Sequence, residues 1–124
     1  MSLRRFHFLL QSIRFDNIIV RPARRALDKL AAFRNVFDLF NRNCVNNYVL
    51  SSFATIDEQL VAFCGRCPFR QFMKSKPAKY GIKIFTITDA KMFYVHNMEV
   101  YVGNQPGNSP FVKSNKPKDV VLFL

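Results

Sequence analysis

The residues best suited to chemistry are an acidic pair in an apolar run of a strongly basic chain. Asp57 and Glu58 lie in the stretch TIDEQLVAFCGRCP, residues 55–68. A buried carboxylate is costly without a partner, so Asp57 predicts a salt bridge, a solvated face or a metal site. A carboxylate on a strand with cations nearby in sequence also suits a magnesium ion that meets a nucleic-acid phosphate. Asp89 is the nearest other strand-associated acid, and composition leaves open whether it approaches Asp57.

A basic segment with interleaved aromatic rings follows this pair. It contains one acid, Asp89, and seven cations: Arg66, Arg70, Lys74, Lys76, Lys79, Lys83 and Lys91. Phe69, Phe72 and Tyr80 lie between them. Flexible cations beside aromatic faces suit a phosphate backbone with occasional base stacking. The alternative is a solvated basic loop whose aromatic side chains pack inward.

The overall charge favours a polyanionic partner. Nineteen Lys and Arg face eight Asp and Glu, which gives a formal net charge of +11 and a pI near 10.1. This excess suits nucleic acid before a membrane, and no apolar run approaches the ~20 residues of a membrane span. Hydrophobic residues make up 49% of the chain, which indicates one folded domain. A second basic cluster, Arg21, Arg24 and Arg25, competes with the first as the contact surface.

The cysteines do not predict a zinc site. Cys64 and Cys67 form a CxxC pair, but structural zinc takes four ligands. The other candidates, Cys44, His7 and His96, are not in a paired spacing. No zinc is therefore expected, and an odd number of cysteines without a secretory signal indicates reduced thiols.

Helical spacing dominates the first part of the chain. Apolar residues three and four positions apart predict a helix over residues 3–13, with Ser2 as its N-cap. The same spacing predicts a second helix over residues 30–44, with Asp28 as its N-cap.

The apolar period becomes two after residue 50. Strands are predicted over residues 53–60, 82–89 and 93–102, the last two joined as an antiparallel hairpin. Residues 103–118 predict an exposed loop, and residues 119–124 predict either a helix or a strand. The expected fold class is therefore α+β, with two helices followed by three mainly antiparallel strands whose edges are open.

The stretch TIDEQLVAFCGRCPFRQFMKSKPAKYGIKI, residues 55–84, resembles the first conserved block of piggyBac-type transposases and of the proteins derived from them. Upstream, SIRFDN and DKLAAFRNVFDLF are similar to the helical segment of that family, and downstream YVHNMEVYVG is similar to its next strand. The matching positions are Thr55, Ile56, Asp57, Glu58, Leu60, Phe63, Gly65, Arg66, Cys67, Phe69, Arg70, Lys76, Pro77, Lys79, Tyr80, Gly81, Ile82 and Lys83. The resemblance thus covers nearly the whole chain.

This resemblance implies an incomplete ribonuclease H-like catalytic domain. It places a helical segment at residues 1–50 and a truncated transposase domain at residues 51–124. It implies that Asp57 is the first of three metal-binding aspartates, and that the ion is Mg²⁺. The second and third aspartates have no counterpart here, and Asp89 is not a member of the triad. Cys64 occupies a position where the family has Arg or Lys, so the CxxC pair is a product of substitution.

For function, the resemblance implies a family of cut-and-paste DNA transposases that act in the nucleus. We expect this chain to be catalytically inactive and to hold Mg²⁺ weakly. Low-specificity contacts with DNA phosphates are expected from Arg66, Arg70, Lys74, Lys76, Lys79 and Lys83. Open strand edges also predict self-association. The alternatives are a basic DNA-binding or protein-binding remnant without catalysis, or a gene-model fragment of a full-length transposase.

Overall fold

In the part of the chain that the structure describes, three helices come first in sequence, a four-stranded antiparallel sheet follows, and one more helix comes after the sheet. The computed structural model describes residues 1–105, 109–110 and 116–124. The helices are α1 Leu3–Ser12, α2 Arg21–Leu27, α3 Arg34–Asn46 and α4 Pro117–Phe123. The strands are β1 Ala54–Ala62, β2 Gln71–Phe72, β3 Tyr80–Asp89 and β4 Val95–Val100. The predicted α+β class is confirmed.

The central strand of the sheet is β3. One of its edges pairs with β1 from Asp89 to Gly81. Its other edge pairs first with the short β2 and then with β4. At Gly81 a strand lies on each side of β3, and a Cβ there would lie 2.2 Å from the carbonyl oxygen of Val61. A side chain at this position would therefore push β1 away from β3.

The hydrophobic core joins the helical segment to the sheet. Its buried cluster consists of Leu30, Phe37, Phe69, Val100 and Val102. Alternation along β3 turns every second side chain to one face, and that face packs against this cluster through Ile82 and Ile84. The core therefore includes residues from both sides of the predicted boundary at residue 50, and the helix α4 lies beyond the strands.

The helices depart from the prediction at Asp28. This residue is not the N-cap of the second predicted helix, because α3 begins at Arg34 and Asp28 lies at the C-terminal end of α2. The Asp28 carboxylate instead accepts a hydrogen bond from the Arg34 guanidinium. The sequence did not predict α2, whose first turn contains Pro22, a position where the missing N–H breaks no helical hydrogen bond. Ser2 caps α1 as predicted, since its hydroxyl accepts from the N–H of Arg5.

The strands also depart from the prediction at their ends. β1 continues to Ala62, two residues beyond the expected end, and the short β2 adds a fourth strand. β4 begins at Val95 and not at residue 93. Phe93 has a φ of 55° and lies in the turn after β3, which removes it from the extended conformation of a strand.

The predicted loop at residues 103–118 is described only in part. Residues 106–108 and 111–115 lie outside the described residues. Gln105 and Ser109 are buried, so the prediction of an exposed loop is wrong at these two positions. The alternative left open for the C-terminal residues resolves as the helix α4.

Candidate metal ligand and nucleic-acid surface

Asp57 lies near the middle of β1, opposite Thr86 of β3, and its side chain is exposed. One carboxylate oxygen, Oδ1, accepts the N–H of Glu58 at 2.7 Å. Together with Phe85 and Val120, among others, Asp57 lines an open cavity of about 370 Å³. The solvated face is thus the alternative that the structure supports for this carboxylate, and it leaves Asp57 accessible to a ligand from outside.

Glu58 has a structural partner. Its carboxylate accepts from Nζ of Lys83 at 2.6 Å, and its backbone carbonyl accepts from Nζ of Lys76 at 2.9 Å. The Lys83 side chain is only 13% exposed, and its ammonium lies 4.5 Å from the centre of the Phe85 ring. Lys83 therefore stabilises the sheet, and Lys76 also makes a structural contact, which separates both from the exposed cations of the predicted DNA-binding set.

Asp89 does not converge on Asp57. It lies three residues along β3 from Thr86, the partner of Asp57, which corresponds to roughly 10 Å of strand. Strand alternation also turns Asp89 to the opposite face from Thr86. The Asp89 side chain is fully buried, so the question that composition left open is answered.

The Asp89 carboxylate organises the chain around the end of β3. It accepts hydrogen bonds from the backbone N–H groups of Met92, Ser51 and Lys91 at 2.8–3.0 Å and from the hydroxyl of Tyr48 at 3.1 Å. The Met92 hydrogen bond, with those from Ser51 and Lys91, holds the pKa of Asp89 well below its usual range despite burial. Asp89 is therefore a structural carboxylate.

The described residues do not build a metal centre. No group of three His, Cys, Asp or Glu side chains that could hold an ion occurs within residues 1–105, 109–110 and 116–124. Magnesium requires an octahedral set of oxygen ligands, only part of which water supplies. Asp57 fits one ligand position of such a set, while Glu58 and Asp89 are committed to Lys83 and to backbone donors.

Two of the predicted DNA-binding residues lie together at one open cavity. Arg66 and Arg70 line a space of about 440 Å³, and Arg25 from α2 lines it as well. Nη1 of Arg70 donates to the carbonyl oxygens of Cys64 at 3.3 Å and Gly65 at 3.5 Å. From sequence, Arg25 belonged only to a competing basic cluster, and the fold brings it to the same cavity as Arg66 and Arg70.

The other two arginines of that competing cluster are paired. The Arg21 guanidinium forms a salt bridge with Asp16, and Nη1 of Arg24 lies 3.8 Å from the same carboxylate. The hydrogen bond from Arg21 holds the pKa of Asp16 below its usual range. The cluster therefore divides into two structural arginines and one, Arg25, that faces the cavity.

The predicted lysines and aromatic rings have different environments. Lys74 and Lys79 are exposed, whereas Lys76 is half-buried. Phe72 and Tyr80 are exposed on neighbouring strands, with ring centres 4.9 Å apart. The third ring, Phe69, belongs to the core, so the alternative of inward packing holds for that ring alone.

None of the described helices combines the length and apolar character needed to cross a membrane.

Buried Nδ1 of His96 makes no hydrogen bond with the described residues.

Comparison with known proteins supports the resemblance. A family model described as Transposase IS4, of the DDE transposase class, matches residues 1–124. A solved structure, the cryo-EM structure of a piggyBac transposase synaptic complex with hairpin DNA, is 41% identical and superposes with a TM-score of 0.79. The match covers 91% of this chain and 23% of that one, so the chain spans less than a quarter of the solved relative. The chain belongs to the Transposase IS4 family and is a piggyBac-type member of it.

Proposed function

We propose that the chain binds duplex DNA through the phosphate backbone, as a DNA-contacting portion of a piggyBac-type transposase. The observation that carries this proposal is the group of exposed cations on the basic loop, which we define as residues 64–79. Its exposed cations are Arg66, Arg70, Lys74 and Lys79, and none of them forms a salt bridge within the part of the chain that the structure describes. Such cations gain from releasing the counterions of DNA.

The solved relative adds support, because it is a synaptic complex with hairpin DNA. Phosphate contacts position a protein on DNA but carry no sequence information, so binding by the basic loop is expected to be of low specificity. The exposed rings of Phe72 and Tyr80 suit stacking with unpaired bases.

We further propose that these 124 residues do not cleave DNA on their own. DDE transposases are metal-dependent, and phosphoryl transfer by two ions needs several carboxylate oxygens. Asp57 supplies one accessible carboxylate, which would give Mg²⁺ a single protein side chain. Glu58 lines the same cavity but is paired with Lys83, and no group of three His, Cys, Asp or Glu side chains forms among the described residues.

The test measures DNA affinity as a function of salt. Fluorescence anisotropy with a labelled duplex would give the slope of log K against log salt, which is about −0.9 for each phosphate contact. We expect wild-type dissociation constants of roughly 10⁻⁴–10⁻⁶ M at physiological salt. In the loop variant, the four exposed cations become Gln: Arg66→Gln, Arg70→Gln, Lys74→Gln and Lys79→Gln. Its salt slope should be smaller in magnitude, by about 0.9 for each phosphate contact that the variant loses.

A matched control removes the same charge elsewhere. The control variant carries Arg4→Gln, Arg5→Gln, Arg42→Gln and Lys118→Gln, four exposed cations outside the basic loop. It should retain most of the wild-type slope. If the loop variant and the control behave alike, binding depends on net charge alone and the proposed surface is wrong. A wild-type chain that does not bind duplex DNA would contradict the proposal altogether.

A further inference from the structure

We infer that Arg25, Arg66 and Arg70 form one pocket for a single DNA phosphodiester group, in which α2 supplies the third guanidinium. The inference rests on the proposed function, because it takes DNA as the ligand. It adds a residue from outside the basic loop and assigns the three arginines to one phosphate rather than to three.

The pocket joins two segments that are distant in sequence. Arg25 lies in the second half of α2, whereas Arg66 and Arg70 lie on the basic loop, and all three line the same cavity of about 440 Å³. Its remaining lining comes from Cys64, Gly65, Cys67 and Pro68. The side chains that bring charge to this space are thus guanidinium groups, whose planar donor forks match phosphate oxygens.

The charge of the pocket is not compensated by carboxylates. Within the described residues, no carboxylate forms a salt bridge with Arg25, Arg66 or Arg70. On the same helix, Arg21 and Arg24 do pair with Asp16. Like charges around one cavity repel each other, and an anion bound between them removes that repulsion.

The core holds the two sides of the pocket in place. Phe69, between Arg66 and Arg70, is buried in the same cluster as Leu30, which follows α2. Arg70 is positioned further by its hydrogen bonds to the carbonyls of Cys64 and Gly65 and by Tyr80, whose ring centre lies 5.4 Å from the guanidinium carbon. A site assembled before binding loses less entropy when the ligand arrives.

A double-mutant cycle tests whether the arginines share one phosphate. Duplex affinity is measured by anisotropy for the full chain, for Arg25→Gln, for Arg66→Gln and for the double variant. Because hydrogen bonds to charged groups are the stronger class, each single change should weaken binding by about tenfold. The double variant should weaken it by clearly less than the product of the two, since residues that share a partner are coupled.

Two further variants separate the pocket from net charge and from misfolding. Arg42→Gln removes an exposed charge from α3 and should change affinity far less than Arg25→Gln. Arg25→Lys keeps the charge without the fork, so its affinity should lie between those of the wild type and Arg25→Gln. Circular dichroism identifies any variant that fails to fold, and the Arg25→Lys result then decides the role of Arg25.

A second readout uses the more exposed of the two thiols that line the pocket. Cys64 is exposed and lines the cavity, while Cys44 lies on α3 away from it. Bound duplex should slow the alkylation of Cys64 by neutral iodoacetamide relative to Cys44, as followed by mass spectrometry. This protection should diminish in Arg25→Gln at equal occupancy of DNA.

The outcomes distinguish the inference from the function on which it rests. If the wild-type chain binds duplex DNA but the effects of Arg25→Gln and Arg66→Gln multiply, the arginines contact separate phosphates and the pocket is wrong. The same holds if Arg25→Gln matches Arg42→Gln. If the wild-type chain does not bind duplex DNA, the proposed function and the pocket both fail.

Discussion

Arg34 and Asp28 form a buried salt bridge between the start of α3 and the end of α2. Nε of Arg34 lies 2.8 Å from Oδ2 of Asp28, and the side chains are 8% and 5% exposed. Nε2 of Gln105 donates to the same carboxylate at 2.9 Å. The pair therefore fixes the turn that follows α2, and with it the helix that presents Arg25.

Removing the cation from this pair should destabilise the fold. Arg34→Ala leaves the buried Asp28 carboxylate without its charged partner, and such changes cost about 3–5 kcal/mol. Urea unfolding should show this loss in the free energy of unfolding. Arg42→Ala removes an exposed arginine from the same helix and should stay within about 0.5 kcal/mol of the wild type. Equal effects of the two changes would show that the buried pair contributes nothing.

Stability should fall in acid because buried carboxylates are held ionised in addition to Asp16, and Asp28 and Asp89 are the two that are buried. Burial opposes ionisation of Asp28, but hydrogen bonds from Arg34, from the N–H of Leu30 and from Gln105 lower its pKa overall. The pKa of Asp89 is lowered by its bonds to backbone N–H groups. Both groups thus contribute stability above their unfolded pKa of about 3.9. This stability is lost as pH falls below that value through the folded pKa.

Urea midpoints measured between pH 7 and pH 2 test this dependence. The midpoint should be nearly level above pH 5 and decline steeply below pH 4. Asp89→Asn keeps the side-chain shape without the titration, so it should be less stable at pH 7 and lose less on acidification. An Asp89→Asn profile parallel to that of the wild type would assign the acid sensitivity to other groups.

The sequence predicted those elements whose apolar pattern is long enough to be seen. α3 and the paired strands β1 and β3 repeat their pattern over many residues, and each was expected. α2 has the sequence RPARRAL, in which charge pairs with Asp16 replace an apolar stripe. β2 has two residues, too few for any period to appear.

The sequence left the environment of Asp57 open among a salt bridge, a solvated face and a metal site, because the surroundings of a residue depend on segments that meet only in the fold. The exposure of Asp57 follows from an open face of a strand at the edge of the described sheet. The pairing of Glu58 with Lys83 depends on the register between β1 and β3, which the sequence does not specify. The position of Arg25 beside the basic loop depends on the packing of α2 against the core. No local pattern encodes such a contact.

Self-association should occur through the outer edge of β1. Among the described residues this strand pairs only with β3, and an unpaired edge can add a strand from a second copy. Light scattering after size exclusion should show a mass above 14.5 kDa as concentration rises. Charges on the exposed positions of the edge strand, Thr55→Lys and Val61→Lys, should lower that mass. Phe8→Lys on the exposed helix α1 should leave that mass unchanged. If Phe8→Lys lowers the mass and the two β1 changes do not, the contact lies on α1.

The final prediction concerns Asp57. Its carboxylate should repel DNA phosphates and should not support catalysis in this chain. With Mg²⁺ or Mn²⁺, the purified chain should neither nick nor join duplex DNA, because one carboxylate cannot hold two ions for in-line displacement. Asp57→Asn removes an exposed negative charge that repels DNA phosphates, so duplex affinity should stay equal or rise slightly. The salt slope should not change, since no phosphate contact is lost. Metal-dependent cleavage that disappears in Asp57→Ala would show that the chain assembles a working metal centre.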